Sequence, residues 1–116
     1  MNNYTPNIST QEIERIIQRE FSFEDFERVS SILAKYVGNS DERGRNRVHA
    51  AAMKLADGDV EQLSHVIETA NADYRDVLAW AEYPSQMKLG FDTEKDAMRD
   101  ALNSDKDQYQ AWLSKS

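Results

Sequence analysis

The chain has 116 residues, of which 40% are hydrophobic and 30% are charged. This composition is typical of a single folded domain and excludes both a disordered chain and a membrane protein. There is no cysteine, which excludes disulfides, zinc thiolates and cysteine nucleophiles. No signal peptide is recognisable in the polar start of the chain, so we expect a cytoplasmic protein.

The net charge of −7 is concentrated in the second half of the chain. Residues 1–58 carry nine acidic and eight basic side chains (net −1), and residues 59–116 carry twelve and six (net −6), which together give −7. An acidic half repels phosphate groups, so nucleic acid and anionic membranes are disfavoured as partners. A solvated acidic surface that keeps a small protein dissolved explains the same charge.

Apolar residues recur at helical spacing along the chain, and no segment alternates apolar and polar residues over six positions. The first predicted helix spans about Thr10–Glu20, because Ser9 and Glu12 have the spacing of a capping box ahead of an isoleucine stripe. A second helix follows Ser22 and is closed by Gly38.

Two further helices are predicted on either side of a short turn. The third helix begins near Ser40 or Asp41 and stops at Gly58. The fourth begins with Asp59 as its N-cap, carries the clearest apolar stripe of the chain, and is broken at Asn71.

The last part of the chain predicts three more helices and one loop. The fifth helix starts near Asp73 and ends before Pro84, since the residue before a proline avoids helical geometry. Residues 84–92 are predicted to form a loop. A sixth helix is capped by Thr93, turns Ala97, Met98, Ala101 and Leu102 inward and is interrupted at residues 103–104. A short final helix is capped by Ser104 or Asp105 and carries Tyr109, Trp112 and Leu113.

Each predicted helix has a narrow apolar stripe and a polar back, so none can bury its stripe alone. Most connections are short, which favours antiparallel neighbours. We therefore predict an all-α fold, a compact bundle or orthogonal packing of five to seven short amphipathic helices. It forms a single domain over residues 1–116, with residues 1–8 as a flexible N-terminus.

The sequence contains no catalytic or metal-binding signature. A glycine-rich phosphate loop, a nucleophile elbow and a His-Glu-x-x-His motif are all missing, so no catalytic residue, cofactor or metal is predicted. His65 shares a helix surface with Glu61 and Glu68, but both glutamates are predicted to face solvent, where such residues are ordinary. His49 is predicted to lie at the surface or margin of the third helix.

Three basic residues, Arg43, Arg45 and Arg47, lie near the start of the third helix, where positive charge opposes the helix dipole. Acids from the second half of the chain could offset this cost, which is the explanation we favour, and a bound anion is the alternative. A DNA-reading helix-turn-helix is disfavoured, because the helix that would read the bases begins with Asp59 and Glu61.

The densest mixture of polar and aromatic residues lies between Asp73 and Pro84. One interpretation is a structural polar cluster that fixes the fifth helix against the third. The other is an interface, because tyrosine and arginine commonly anchor interfaces, with the predicted loop adding apolar residues that either cover the core or form a contact site. The candidate binding residues are Tyr74, Arg75, Asp76, Glu82, Tyr83, Met87 and Phe91.

Three segments in about the middle third of the chain resemble a group of small uncharacterised bacterial proteins of similar length. They are residues 47–59, Asp73-Tyr74-Arg75-Asp76-Val77-Leu78 and Ala81-Glu82-Tyr83-Pro84. The resemblance implies a bacterial source. It implies no activity.

The sequence leaves three functional hypotheses. The leading one is a non-enzymatic helical protein-interaction or regulatory module that binds a protein partner or itself. The second is a small-molecule-binding protein or enzyme with an interhelical pocket that uses Arg75, Glu82 and Tyr83. The third is nucleic-acid binding through the arginines of residues 43–47, which the acidic charge disfavours.

Overall fold

A computed structural model describes residues 8–38, 41–89 and 95–115, and within these ranges the chain forms six α-helices and no strand. The all-α packing of five to seven helices predicted from the sequence is confirmed. A 3-10 turn at Phe23–Asp25 precedes the second helix. The helices are α1 (Thr10–Glu20), α2 (Phe26–Ala34), α3 (Glu42–Ala56), α4 (Val60–Glu82), α5 (Pro84–Leu89) and α6 (Lys95–Ser114).

Side-chain caps fix the starts of three helices at the predicted positions. The hydroxyl of Ser9 accepts a hydrogen bond from the backbone N–H of Glu12 at 3.2 Å. The carboxylates of Asp41 and Asp59 accept backbone N–H groups in the first turns of α3 and α4. Each cap satisfies a donor that the helix itself leaves without a partner.

The turn between α3 and α4 uses left-handed backbone geometry. Asp57 has φ 51° and Gly58 has φ 81°. A Cβ atom at Gly58 would lie 3.2 Å from the carbonyl oxygen of Glu20, so the end of α1 approaches this turn closely. Both features favour glycine at this position. After the turn, α4 packs against α3 in the most extensive helix contact of the described chain.

α4 is kinked at Asp73, whose φ of −158° and ψ of 101° are non-helical. The carboxylate of Asp73 accepts a hydrogen bond from the backbone N–H of Arg75 at 3.1 Å and so acts as an internal N-cap. α4 therefore consists of an N-terminal segment (60–72) and a C-terminal segment (74–82). These segments correspond to the fourth and fifth predicted helices, with the break two residues after Asn71.

The predictions for the last third of the chain were wrong in two places. α5 forms where a loop was expected, because the carboxylate of Asp105 accepts hydrogen bonds from the backbone N–H groups of Ser85 (2.9 Å) and Gln86 (3.1 Å). Pro84 at the first helical position needs no N–H. α6 is continuous through residues 103–104, since Asp105 caps α5 rather than starting a helix of its own.

The inward face of α6 matches the predicted one in part. Ala97, expected to face inward, is exposed, whereas Ala101, Tyr109 and Leu113 are buried as their apolar stripes predict. Together with Asp105 they make four buried residues spaced one turn apart, which is the spacing of one helix face. The predicted Thr93 cap lies outside the described residues.

Two arginines of α1 hold the C-terminal end of α6. The guanidinium of Arg19 donates to the carbonyl oxygens of Trp112 (2.7 Å) and Lys115 (2.8 Å) and lies 4.7 Å from the centre of the Trp112 ring. Arg15 donates to the same Lys115 carbonyl at 2.8 Å. Carbonyl groups that a helix end leaves without partners are satisfied in this way.

Ile8, the last residue of the stretch predicted to be flexible, is buried, and its carbonyl accepts a hydrogen bond from Asn46 at 3.1 Å. Residues 1–7 of that stretch lie outside the described ranges. None of the described helices combines the length and the apolar character needed to cross a membrane.

Candidate functional site

The candidate residues predicted between Asp73 and Pro84 separate into a surface group and a buried group. Arg75 belongs to the surface group, with a side chain that is 78% exposed. Its guanidinium folds back onto Asp73, with Nε and Nη2 at 3.0 and 3.1 Å from the two carboxylate oxygens. Arg75 holds the pKa of Asp73 below its usual value through these hydrogen bonds. Arg75 is thus engaged with Asp73, whereas Glu82, with which it was grouped around a pocket, is engaged with Arg47.

Glu82 belongs to the buried group and pairs with Arg47 of α3. Nε and Nη2 of Arg47 donate to the two oxygens of Glu82 at 2.9 and 2.7 Å, and the Glu82 side chain is 1% exposed. The hydrogen bonds to Glu82 raise the pKa of Arg47. A carboxylate at a helix C-terminus is unfavourable by itself, so the arginine offsets both the dipole and the burial.

Further ionisable residues extend this pair into an interior polar cluster. Tyr83 has a raised pKa, first because it is partly buried and then because Glu82 is close. The Lys54 ammonium lies 6.0 Å from the ring centre of Tyr109, and burial lowers the pKa of Lys54 while nearby Asp105 opposes that shift. The cluster comprises Arg47, Lys54, Glu82, Tyr83, Asp105 and Tyr109.

The residues of this interior polar cluster lie on α3, at the end of α4 and on α6, and Asp105 reaches α5 by capping it. Arg47 forms an ion pair with Glu82, and Lys54 lies near the charge of Asp105. Glu82 and Asp105 are 2% and 0% exposed as residues. Side chains that are withdrawn from water and engaged with one another are suited to fixing helix positions. Glu82 and Tyr83 thus lie where the end of α4 meets α3.

The other candidate residues lie apart from this cluster. Tyr74 is 38% exposed at the start of the C-terminal segment of α4. It lies near Tyr36, which follows α2. The pKa of Tyr36 is raised mainly by burial and to a lesser extent by Tyr74. Met87 is exposed on α5. Phe91 lies outside the described residues.

Asp76 lines a groove of about 320 Å³ that crosses the kink of α4. The N-terminal segment of α4 contributes two of its residues, the C-terminal segment contributes three, and α3 contributes one. We call it the Trp80 groove, and it is lined by Leu55, Val66, Thr69, Asp76, Val77 and Trp80.

The kink at Asp73 explains why a groove exists at this place. Val66 and Val77 are buried on the two segments, and the change of direction between the segments leaves a depression beside Leu55. Trp80 borders it and is 46% exposed. Sequence reasoning missed Trp80, although a tryptophan that falls outside the Val77, Leu78, Ala81 stripe is a usable sign of an exposed aromatic residue.

A second depression, of about 620 Å³, lies between α1, the end of α2, and α3. Ile13, Ile17 and Leu33 form apolar parts of its lining, and Arg45 and His49 contribute polar side chains.

His49 is 7% exposed, so the predicted surface or margin position was wrong. The residues after α2 cover the imidazole, with the Tyr36 ring 6.1 Å away. Its Nε2 is buried and meets no hydrogen-bonding atom of the described residues. Burial lowers the pKa of His49 to about 4, Arg45 acts in the same direction, and a hydrogen bond with the Leu33 backbone opposes them.

A third, shallow groove of about 560 Å³ runs between α2 and α4 and mixes both signs of charge. His65 lines it together with Glu27, Arg28, Lys35 and Glu61. Within residues 8–38, 41–89 and 95–115, no group of three or more acidic or histidine side chains is arranged to hold a metal ion.

Comparison with protein-family models, with curated proteins and with solved structures returns no match for this chain. The geometry of the interior polar cluster and of the surface depressions is therefore the basis for proposing a function.

Proposed function

We propose that this protein is a non-enzymatic helical protein-interaction module whose contact surface is the Trp80 groove. The observation that carries the proposal is the half-exposed indole of Trp80 at the border of a depression floored by Leu55, Val66 and Val77. Tryptophan is a rich source of binding energy when a partner covers it, because it buries a large apolar area at a small cost in side-chain entropy.

The composition of the Trp80 groove supports the same proposal. Its floor is apolar, while Thr69 and Asp76 are exposed and polar. An apolar centre with a polar rim is the usual anatomy of a protein interface. Within the interior polar cluster, Arg47 and Glu82 are paired with each other and Asp105 caps α5, which supports a binding role over a catalytic one.

The proposal is tested by capture of partners on the immobilised protein from a lysate of the source organism at physiological salt. Trp80→Ala removes the indole, and Phe23→Ala is the matched control, because Phe23 is 83% exposed on the 3-10 turn and lines none of the three depressions. We expect Trp80→Ala to weaken binding of the captured protein about 30-fold, the effect of losing an interface anchor. Phe23→Ala should bind as the wild type does.

Equal capture by the wild type and Trp80→Ala, with both variants folded, would overturn the assignment of this groove. Sedimentation of the purified chain separates the two kinds of partner named by the proposal. A wild-type dimer that dissociates in the Trp80→Ala variant would identify a second copy of the chain as the partner. If both the wild type and the variant are monomers, the partner is a different protein.

A second candidate function is the binding of a small molecule in the depression beside His49. The buried imidazole with its unengaged Nε2 favours this site over the Arg75, Glu82 and Tyr83 grouping, which the fold separates. A ligand that raises the thermal midpoint of the wild type but not that of His49→Gln would support it. A metabolite screen without any such ligand would remove it for the compounds tested.

Nucleic-acid binding has less support from the geometry. Arg47, one of the three arginines on which that hypothesis depends, is engaged by Glu82 in the interior polar cluster. Arg43 and Arg45 remain on a chain with a net charge of −7. A salt-dependent mobility shift with duplex or single-stranded probes would revive the hypothesis.

A further inference from the structure

The Trp80 groove presents a carboxylate and an indole on the same side of α4. Asp76 and Trp80 are four residues apart in the C-terminal segment, so their side chains are neighbours on one helix surface. Both are exposed and both line the groove. The carboxylate of Asp76 accepts no hydrogen bond from any residue that the structure describes, whereas neighbouring Asp73 is taken by Arg75.

We propose that the Trp80 groove receives an arginine side chain of a partner protein, an inference that rests on the proposed function. The guanidinium stacks on the indole of Trp80 and forms an ion pair with Asp76. The methylene groups of the arginine lie along Leu55 and Val77, which supply the apolar floor.

The chain already contains an arginine held in a comparable way. The guanidinium of Arg19 lies 4.7 Å from the ring centre of Trp112 and forms a 3.0 Å ion pair with Glu20. An indole and a carboxylate, together with two carbonyl oxygens at the end of α6, therefore hold a guanidinium within this fold. Trp80 and Asp76 offer the same two groups on the outside.

Charge also selects a basic partner over an acidic one. The groove draws five of its six residues from the half of the chain with a net charge of −6. Of the six lining residues Asp76 alone is charged, and its negative charge attracts a positive segment and repels a negative one. Arginine fits better than lysine, because the guanidinium is planar, is less strongly hydrated and can pair with both carboxylate oxygens.

The test is a selection of random peptides displayed on phage against the folded protein, with Trp80→Ala used to remove peptides that bind elsewhere. We expect the retained peptides to share an arginine next to an apolar residue. Synthetic peptides then carry arginine, lysine or citrulline at that position, because citrulline keeps the shape of arginine and removes its charge. The arginine peptide should bind at least about tenfold more tightly than the citrulline peptide.

A charge-matched pair of variants locates the effect. Asp76→Asn should weaken the arginine peptide about tenfold and remove its advantage over citrulline, whereas Asp107→Asn on α6 removes one negative charge outside the groove and should change neither. Trp80-dependent peptides without arginine, or equal binding of arginine and citrulline, would overturn this inference and leave the proposed function standing. A selection without any Trp80-dependent peptide would overturn both.

Discussion

The C-terminal segment of α4 carries two ion pairs made from the same chemical groups in opposite surroundings. Glu82 pairs with Arg47, a residue 35 positions away on α3, and its side chain is 1% exposed. Asp73 pairs with Arg75, two positions away, with side chains that are 37% and 78% exposed. The Arg47–Glu82 pair joins two helices inside the protein, and the Asp73–Arg75 pair lies at an exposed helix start.

The difference shows which face of this segment is committed to the fold. Charges withdrawn from water depend on each other, because removing one leaves the other without compensation. Exposed pairs contribute little, because water and salt already stabilise both charges. On this segment, the side chains of Asp76 and Trp80 can therefore rearrange around a partner without loss of the fold. Glu82 cannot do so, because its face holds α4 against α3.

The largest expected effect comes from breaking the buried pair. Arg47→Met leaves the Glu82 carboxylate buried without a counter-charge. We expect the free energy of unfolding to fall by about 3–5 kcal/mol, measured by urea denaturation at neutral pH. A loss below about 1 kcal/mol would mean that water reaches Glu82 and that the two ion pairs differ less than their geometry indicates.

The double variant Arg47→Met with Glu82→Leu is the control for this result. It removes both charges and keeps apolar volume in their place, so much of the lost stability should return. Loss of the same size in the double variant would show that the packing of the arginine stem, rather than the charge pair, holds α3 against α4.

His49 extends the comparison from pairs to a single buried group. Its pKa of about 4 in the folded protein lies below the ordinary value of 6.5, so the unfolded chain binds more protons between these values. Stability is therefore complete above the ordinary pKa and is lost as pH falls toward the folded pKa. Between about pH 7.5 and pH 5 we expect the wild type to lose about 2 kcal/mol of unfolding free energy from this residue.

Urea denaturation at each pH gives the free energy of unfolding of the wild type and of His49→Gln, and the difference between their pH dependences is the result that tests the prediction. The variant should lack this contribution whatever its stability at neutral pH. His65→Gln is the matched control, because it makes the same replacement at a histidine that is exposed on α4. Parallel curves for wild type and His49→Gln would show that the buried imidazole is not kept neutral.

An effect of similar size is expected at the contact between α6 and α5. Asp105→Ala removes the carboxylate that accepts the N–H groups of Ser85 and Gln86. We expect a loss of about 2 kcal/mol in unfolding free energy, since two partly buried donors lose their acceptor. Faster hydrogen exchange confined to α5 in the variant would locate the loss, and unchanged exchange there would contradict the assigned cap.

Local chemistry explains what could be predicted of the fold. The starts of α1, α3 and α4 and the break near Asp73 depend on a capping side chain and a backbone N–H a few residues later, so the information lies within one turn. α5 could not be predicted in this way. Its cap is Asp105, twenty residues from Ser85, and the same aspartate looked like the start of a helix of its own.

The candidate site was likewise predictable only in part. The favoured explanation for the arginines on α3 expected an acidic partner from the second half of the chain, and Glu82 is that partner for Arg47. The identity of that acidic residue depends on how α3 packs against α4, and the spacing of residues in the sequence does not reveal this packing. The Trp80 groove also depends on packing, because a kink and a neighbouring helix are needed to form it.

The smallest expected effect is at the exposed pair. Arg75→Ala leaves the N-cap of Asp73 in place, so we expect the midpoint of urea unfolding to stay within the error of the wild type. Because Arg75 lowers the pKa of Asp73, the variant should instead move that pKa up toward the ordinary value, which an NMR titration of the aspartate carboxyl carbons would detect. Asp73→Ala, which removes the cap itself, should destabilise the C-terminal segment of α4 although it breaks the same pair. If Arg75→Ala destabilised the protein as much as Arg47→Met, the exposed pair would be part of the packing that holds the fold, and the surface beside Asp76 and Trp80 would no longer be free for a partner.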